Sequence, residues 1–222
     1  MCNRMGVITD LRVISTRFNA RRAPELPERG GPPRPEIRPT DQLLTIALGA
    51  DGARKIVPMR WGLVPHWEAA PKTEYATFNA RSEKLAGSKA FGPSFEGAKG
   101  KGGRCLIPFD VFYEWTGTKT PKQKHKITTT DNRMPAFAGL WASWRPKGGA
   151  AEGIALLSCS IITVPANADM KAIHDRMPAI LPEDAYPLWL GEAAVGSAEL
   201  QGLLQPYPAG RLVIDPPQAR AD

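Results

Sequence analysis

The sequence predicts an α+β fold built on a mostly antiparallel sheet, and three observations predict it. The run IALLSCSIITV (154–164) is apolar for long enough to be a central strand. QLLTIALG (42–49), ADGARK and IVPMRWGLV (56–64) read as strand, turn and partner strand. No alternation of strands with helices runs along the chain, which argues against a doubly wound parallel sheet.

Taken in order, residues 7–18 alternate in part (Val7, Leu11, Val13, Ile14, Phe18) and read as an early strand. The stretch 20–40 is rich in Pro, Gly and Arg and is expected to be an exposed loop, variable over about 20–38. NARSEKLAGSKAF (79–91) reads as a helix, with Asn79 or Ser82 near its start and Gly92 beyond its end. RCLIPFDVFYEW (104–115) is one strand, or two broken at Pro108, and KHKITTTD with PAFAGLWASW (135–144) reads as a further hairpin. NADMKAI is a helical turn, and PEDAYPLWL, ended by Gly191, and SAELQGLL are two closing helices. From about 206 to 222 the tail is irregular apart from RLVI.

A chain of 222 residues with 42% hydrophobic and 8% aromatic content can bury one substantial core, so residues 1–222 are read as a single domain. No apolar run approaches the roughly 20 residues of a membrane span, and MCNRMGVITD lacks the pattern of a signal peptide. A cytoplasmic protein is the expectation. The net charge of +7 favours a polyanionic partner, nucleic acid first. That charge is spread over Arg21, Arg22, Arg29, Arg34 and Arg38, over AKGKGGR (98–104) and over PKQKHK (121–126). Three cysteines, none in a CxxC pair, cannot make a complete disulfide set. Cys105 and Cys159 sit in apolar runs and are expected to be buried and inert. His66, His125 and His174 have no close His/Cys spacing, which argues against a structural zinc site.

Cys2 stands apart by position. Removal of Met1 leaves one residue carrying both a free α-amine and a thiol. The amine can condense with an aldehyde to a Schiff base, and the thiol can close on the same carbon to give a five-membered thiazolidine. An α-amine titrates near 7.7–8.0, so on the order of a tenth is neutral and nucleophilic at pH 7, whereas a lysine needs its pKa lowered first.

Beyond Cys2, five stretches stand out in order: MCNR, MRWGLVPHW (59–67), FNARSE (78–83), RCLIPFDVFYEW and HDRMPAIL (174–181). Together they resemble the SOS response-associated peptidase (SRAP) family, from residue 2 to about 190. The resemblance implies a single domain with a twisted, barrel-like core flanked by short helices. It also implies covalent crosslinking of Cys2 to abasic sites in single-stranded DNA, with neither cofactor nor metal, by a monomer away from any membrane. Glu114 in FYEW is the candidate acid/base for opening the closed sugar. In an extended segment it shares a face with Phe112, and desolvation there favours its protonated form. His174 is the second proton-transfer group, since an imidazole both gives and takes protons near neutrality, and Asn79 would hold the Cys2 amine or the opened sugar. Arg4, Arg81 and Arg176 map onto phosphate ligands, for which the guanidinium fork is suited. Trp61 and Trp67 would stack on bases, with one of the two expected in the core, and Thr163 would touch sugar or phosphate. Asn3, Phe109 and Val111 depart from the commonest family residues and are expected to alter the pocket. Other readings of the same residues are a self-processing cysteine peptidase or amidohydrolase using Cys2, and a plain nucleic-acid-binding module using the arginines and tryptophans.

Overall fold

The structure is a computed structural model. It describes residues 2–24, 26, 33–97, 102–117, 122–131, 133–146 and 155–216. Residues 98–101 of the AKGKGGR stretch and Pro121 of PKQKHK therefore lie outside the described residues, as do Arg29 and the middle of the Arg/Pro segment. Along the chain come β1 (Met5–Val7), α1 (Leu11–Phe18), β2 (Arg21–Arg22), β3 (Arg34–Ile37), β4 (Gln42–Leu48), β5 (Arg54–Trp61) and β6 (Asn79–Arg81). A 3-10 turn (Ser82–Lys84) leads to α2 (Gly92–Phe95), β7 (Gly102–Pro108), β8 (Val111–Thr116), β9 (Gln123–Thr129), β10 (Ala136–Trp144) and β11 (Leu156–Pro165). The chain closes with β12 (Arg176–Pro178), β13 (Ile180–Leu181), α3 (Tyr186–Leu190), α4 (Ser197–Gly202) and β14 (Leu212–Ile214).

Five strands form a ring. The antiparallel order β5–β4–β7–β10–β11 is closed by a parallel pairing of β11 with β5, at Ser158 with Arg60 and Cys159 with Trp61. Closure removes the exposed edges that an open sheet must protect. A second, five-stranded sheet has the order β14–β9–β8–β1–β3. Between the two, Phe109 stacks on Phe137 at 3.8 Å and Phe112 meets both rings edge-on.

β11 is the strand on which the rest converges. Its first half pairs with β10, and its far end carries β6 on one side (Ile161 with Asn79, Thr163 with Arg81) and β12 on the other (Val164 with Met177, Pro165 with Arg176). Every residue from Ser158 to Val164 is buried, which explains its largely apolar sequence.

Four expected elements differ. Residues 11–18 are a helix, because Asp10 caps it by accepting from the Arg12 N–H at 2.7 Å and Leu11, Ile14 and Phe18 bury one helical face. The expected helix at 79–91 is instead the short strand β6 and a 3-10 turn, since Ala80 is buried and its neighbours pair with β11. β9 and β10 are not a hairpin: β9 pairs with β8 and β14, while β10 lies in the ring against β7 and β11. The Arg/Pro stretch also carries regular structure at its ends, β2 against β5 and β3 against β1. RCLIPFDVFYEW divides after Pro108, sending β7 to the ring and β8 to the second sheet. Asp110 secures that change of sheet by accepting from the Ile8 and Thr9 N–H groups at 2.6 and 2.9 Å.

β1 brings the N-terminus to the site. It runs between β3 and β8 at Gly6, where a Cβ would lie 2.4 Å from the Pro35 carbonyl oxygen and 2.9 Å from Val111 Cγ1. Only glycine fits there. The ladder to β8 continues past the strand end, with the Tyr113 N–H donating to the Arg4 carbonyl at 3.0 Å.

Candidate active site

The end of β1 delivers Cys2 beside the end of β8 and the start of β6. Cys2 is 1% exposed, and its thiol donates to the Arg4 carbonyl over 3.6 Å. The Asn79 side-chain N–H donates to the Cys2 carbonyl at 2.8 Å, so β6 holds the cysteine backbone directly. The Asn79 Oδ1 is buried with no hydrogen-bond partner among the described residues.

Alternation along β8 turns Phe112 and Glu114 inward and leaves Tyr113 and Trp115 half-buried on the other face. Glu114 is buried, and that burial, with a smaller push from the Asp175 charge, raises its carboxyl to about 7. The Cys2 thiol is pushed well above its ordinary range, by burial first and then by the Glu114 charge beside it. Both shifts favour the protonated form over the charged one.

His174 follows the turn 168–173, with its backbone N–H bonded to the Met170 carbonyl at 2.9 Å. Its Nδ1 accepts the Arg176 backbone N–H at 2.9 Å and lies 2.7 Å from an Asp175 carboxylate oxygen. Burial and the Arg176 charge lower the imidazole pKa against the pull of Asp175, so the ring is neutral at pH 7 and able to take a proton.

The remaining expected residues divide by exposure. Arg81 is exposed on β6, and Arg4 is partly exposed, paired with Glu36 at 3.2 Å and placed over the Trp115 ring. Trp67 is half-buried, with the Lys89 ammonium 4.7 Å from its ring centre. Trp61 is fully buried and donates to the Phe78 carbonyl at 2.8 Å, so its ring faces meet the core and not a base. Thr163 is likewise buried, with its hydroxyl turned to the Ala80 carbonyl at 3.4 Å. Arg176 is also enclosed: both terminal nitrogens grip Glu83 at 2.9 Å, and one also donates to the Thr163 carbonyl at 2.6 Å. Phe109 lies in the aromatic core, Val111 packs at Gly6, and Asn3 is exposed. Glu83 and Asp175 had no assigned role in the sequence, although each stands inside a quoted motif, FNARSE or HDRMP.

Among the described residues no cluster of His, Cys, Asp and Glu could hold a metal, and no helix is long and apolar enough to cross a membrane. A separate cleft, lined by Arg17, Asp131, Tyr186, Tyr207 and Arg211 among others, contains none of the site residues.

A ring-closed barrel with a buried thiol and a buried carboxyl where the chain begins, and an amide bonded to the cysteine backbone, defines a class of β-barrel protein with a polar site at its N-terminus. The chain belongs to the SOS response-associated peptidase (SRAP) family, whose family model matches residues 1–219. It is 36% identical over 211 residues to the abasic site processing protein YoqW of Bacillus subtilis, covering 94% of this chain and 88% of that one. The chicken (Gallus gallus) abasic site processing protein HMCES is 36% identical over 175 residues, covering 69% of this chain and 50% of that protein. A crystal structure of a protein from Bordetella bronchiseptica superposes with a TM-score of 0.76 at 27% identity, covering 96% of this chain and 98% of the other. One from Bacteroides thetaiotaomicron shares the fold, with a TM-score of 0.77 at 22% identity over 96% of this chain and 90% of the other.

Proposed function

We propose that this protein processes abasic sites in single-stranded DNA by capturing the opened sugar covalently on Cys2. The observation that carries the reading is the grip of Asn79 on the Cys2 carbonyl beside a buried carboxyl that titrates near 7. Once Met1 is removed, the Cys2 nitrogen is an amine. It adds to the C1′ aldehyde of the abasic deoxyribose, and loss of water gives an imine. The thiol sulfur then adds to the imine carbon, and its proton passes to the nitrogen to leave a thiazolidine. No oxidant or reductant is consumed.

Glu114 is half protonated near neutrality, so it can protonate the ring oxygen as the sugar opens and the hydroxyl as water leaves. His174, neutral at pH 7, takes the thiol proton and returns it to nitrogen. The free Asn79 carbonyl oxygen orients the amine. Arg81 and Arg4 serve as phosphate ligands and Trp67 as a stacking surface, giving binding without sequence preference.

The test is incubation with a single strand holding one abasic site, followed by denaturing electrophoresis without reductant. Wild type is expected to give a shifted, heat-stable band and Cys2→Ser none, because a serine cannot close the sulfur ring. No band from wild type, or an equal band from the variant, would remove the proposal.

A second reading concerns Met1. The family carries a peptidase name, and the same carboxyl lies beside the residue that follows Met1. In that reading Cys2 attacks the preceding carbonyl and the protein trims itself. Mass spectrometry of wild type and Glu114→Ala separates the cases: Met1 retained only in the variant supports self-cleavage, and Met1 absent from both excludes it.

A further inference from the structure

Arg176 was expected to face DNA, yet its side chain is only 8% exposed and its Nε is buried with no hydrogen-bond partner among the described residues. Its fork instead closes on Glu83 through two parallel bonds of 2.9 Å, and the carbonyl of Thr163 accepts a further bond at 2.6 Å. Two-point guanidinium–carboxylate pairs fix orientation as well as distance. Glu83 and Arg176 belong to segments on opposite sides of one strand: β6 and its 3-10 turn flank β11 at residues 161–163, and β12 flanks it at 163–165. The pair therefore spans the end of β11. On one side it holds the segment that presents Asn79, and on the other the segment that follows His174. The coupling to His174 is direct, since the Arg176 backbone N–H donates to its Nδ1 at 2.9 Å.

We infer that Glu83 is a positioning residue for the capture reaction: through Arg176 it fixes the spacing and orientation of the Asn79 amide and the His174 imidazole across the end of β11. This inference rests on the function proposed above. Glu83 is itself half exposed, at 47%, and touches neither Cys2 nor Glu114 in any described hydrogen bond. Burial opposes its ionisation, but the hydrogen bonds and charge of Arg176 outweigh that and hold the carboxyl below its usual range, so the pair is ionised across the neutral range. The Gln201 side chain supports the same turn by donating to the Ser82 carbonyl at 3.1 Å. The competing role is that Glu83 masks a phosphate site on Arg176, and the two make opposite predictions for binding and for chemistry.

The experiment uses the full chain, with single-turnover crosslinking measured over a range of abasic-strand concentrations, plus the affinity for an intact single strand. Glu83→Gln is isosteric and keeps one acceptor for Arg176; Glu83→Ala keeps none. The limiting crosslinking rate is expected to fall roughly tenfold in Glu83→Gln and further in Glu83→Ala, as expected for a small loss of alignment. The half-saturating concentration and the intact-strand affinity should stay within about twofold of wild type, a split that phosphate contacts would not give. Glu83→Gln with an unchanged limiting rate overturns the inference. So does tighter, more salt-sensitive binding of intact strand at an unchanged rate, which identifies a masked phosphate site. Absence of any crosslink from wild type removes the proposed function, and the inference with it; a wild type that reacts beside an equally fast variant removes the inference alone.

Discussion

Two glutamates a few strands apart have been pushed in opposite directions. Glu114, on β8, is buried, and that burial, helped by the Asp175 charge, lifts its carboxyl to about 7. Glu83, in the turn after β6, also feels desolvation, but the Arg176 fork reverses the outcome and keeps it charged. One side chain retains a proton that can be given away near neutral pH. The other retains a charge that can hold a partner in place. The difference lies in the neighbour and not in the residue type.

The sharpest way to break this comparison is Glu114→Gln. The crosslinking rate is expected to fall by roughly 10²–10³, the span of lost general acid catalysis. Wild type should slow as pH rises through about 7 and Glu114 gives up its proton; the glutamine variant should lack that decline. A pH–rate series on both proteins decides it.

A smaller effect is expected in stability. The folded carboxyl titrates at about 7 against an ordinary value of 4.5. Its favourable contribution is therefore fully present below about 4.5 and lost as pH rises through 7. Thermal melts between pH 5 and pH 8 should show wild type losing more stability than Glu114→Gln over that interval, and equal losses would show that the carboxyl is not raised.

Asn79→Ala deletes the bond to the Cys2 carbonyl, worth about 1 kcal/mol, and should slow crosslinking roughly fivefold if that whole amount is lost in the transition state. Single-turnover rates test it, with unchanged intact-strand affinity as the control. Arg81→Ala should have the least effect on chemistry. It is expected to weaken intact-strand binding and lower the salt slope by about 1, as for loss of one phosphate contact. A salt titration that leaves the slope unchanged would assign Arg81 to solvent.

The parts of the fold legible in the sequence were those set locally. ADGARK between two apolar runs gave the β4–β5 hairpin, and the apolar stretch around Cys159 gave β11. The misread parts depend on partners distant in sequence. Asn79–Arg81 are extended because Ile161–Thr163 lie alongside them, although NARSEKLAG has good helical composition. β9 and β10 adjoin in sequence but enter different sheets, which no local pattern encodes. At the site, the motifs marked Cys2, Asn79, Glu114 and His174, and the structure brings Asn79 onto Cys2. They gave no sign that Arg176 is enclosed by Glu83, or that Trp61 rather than Trp67 would be the fully buried indole. Those outcomes depend on which side of a strand meets the core, and the register across β11 sets that.

The covered state of Cys2 bears on how long the protein stays usable. Peroxides and alkylating agents consume thiolates far faster than thiols. A cysteine 1% exposed, whose ionisation is opposed by both burial and an adjacent carboxylate, offers them little to attack. On the function proposed above, the same shelter that makes the nucleophile sluggish on its own preserves it intact until a bound aldehyde and a base at hand draw off its proton.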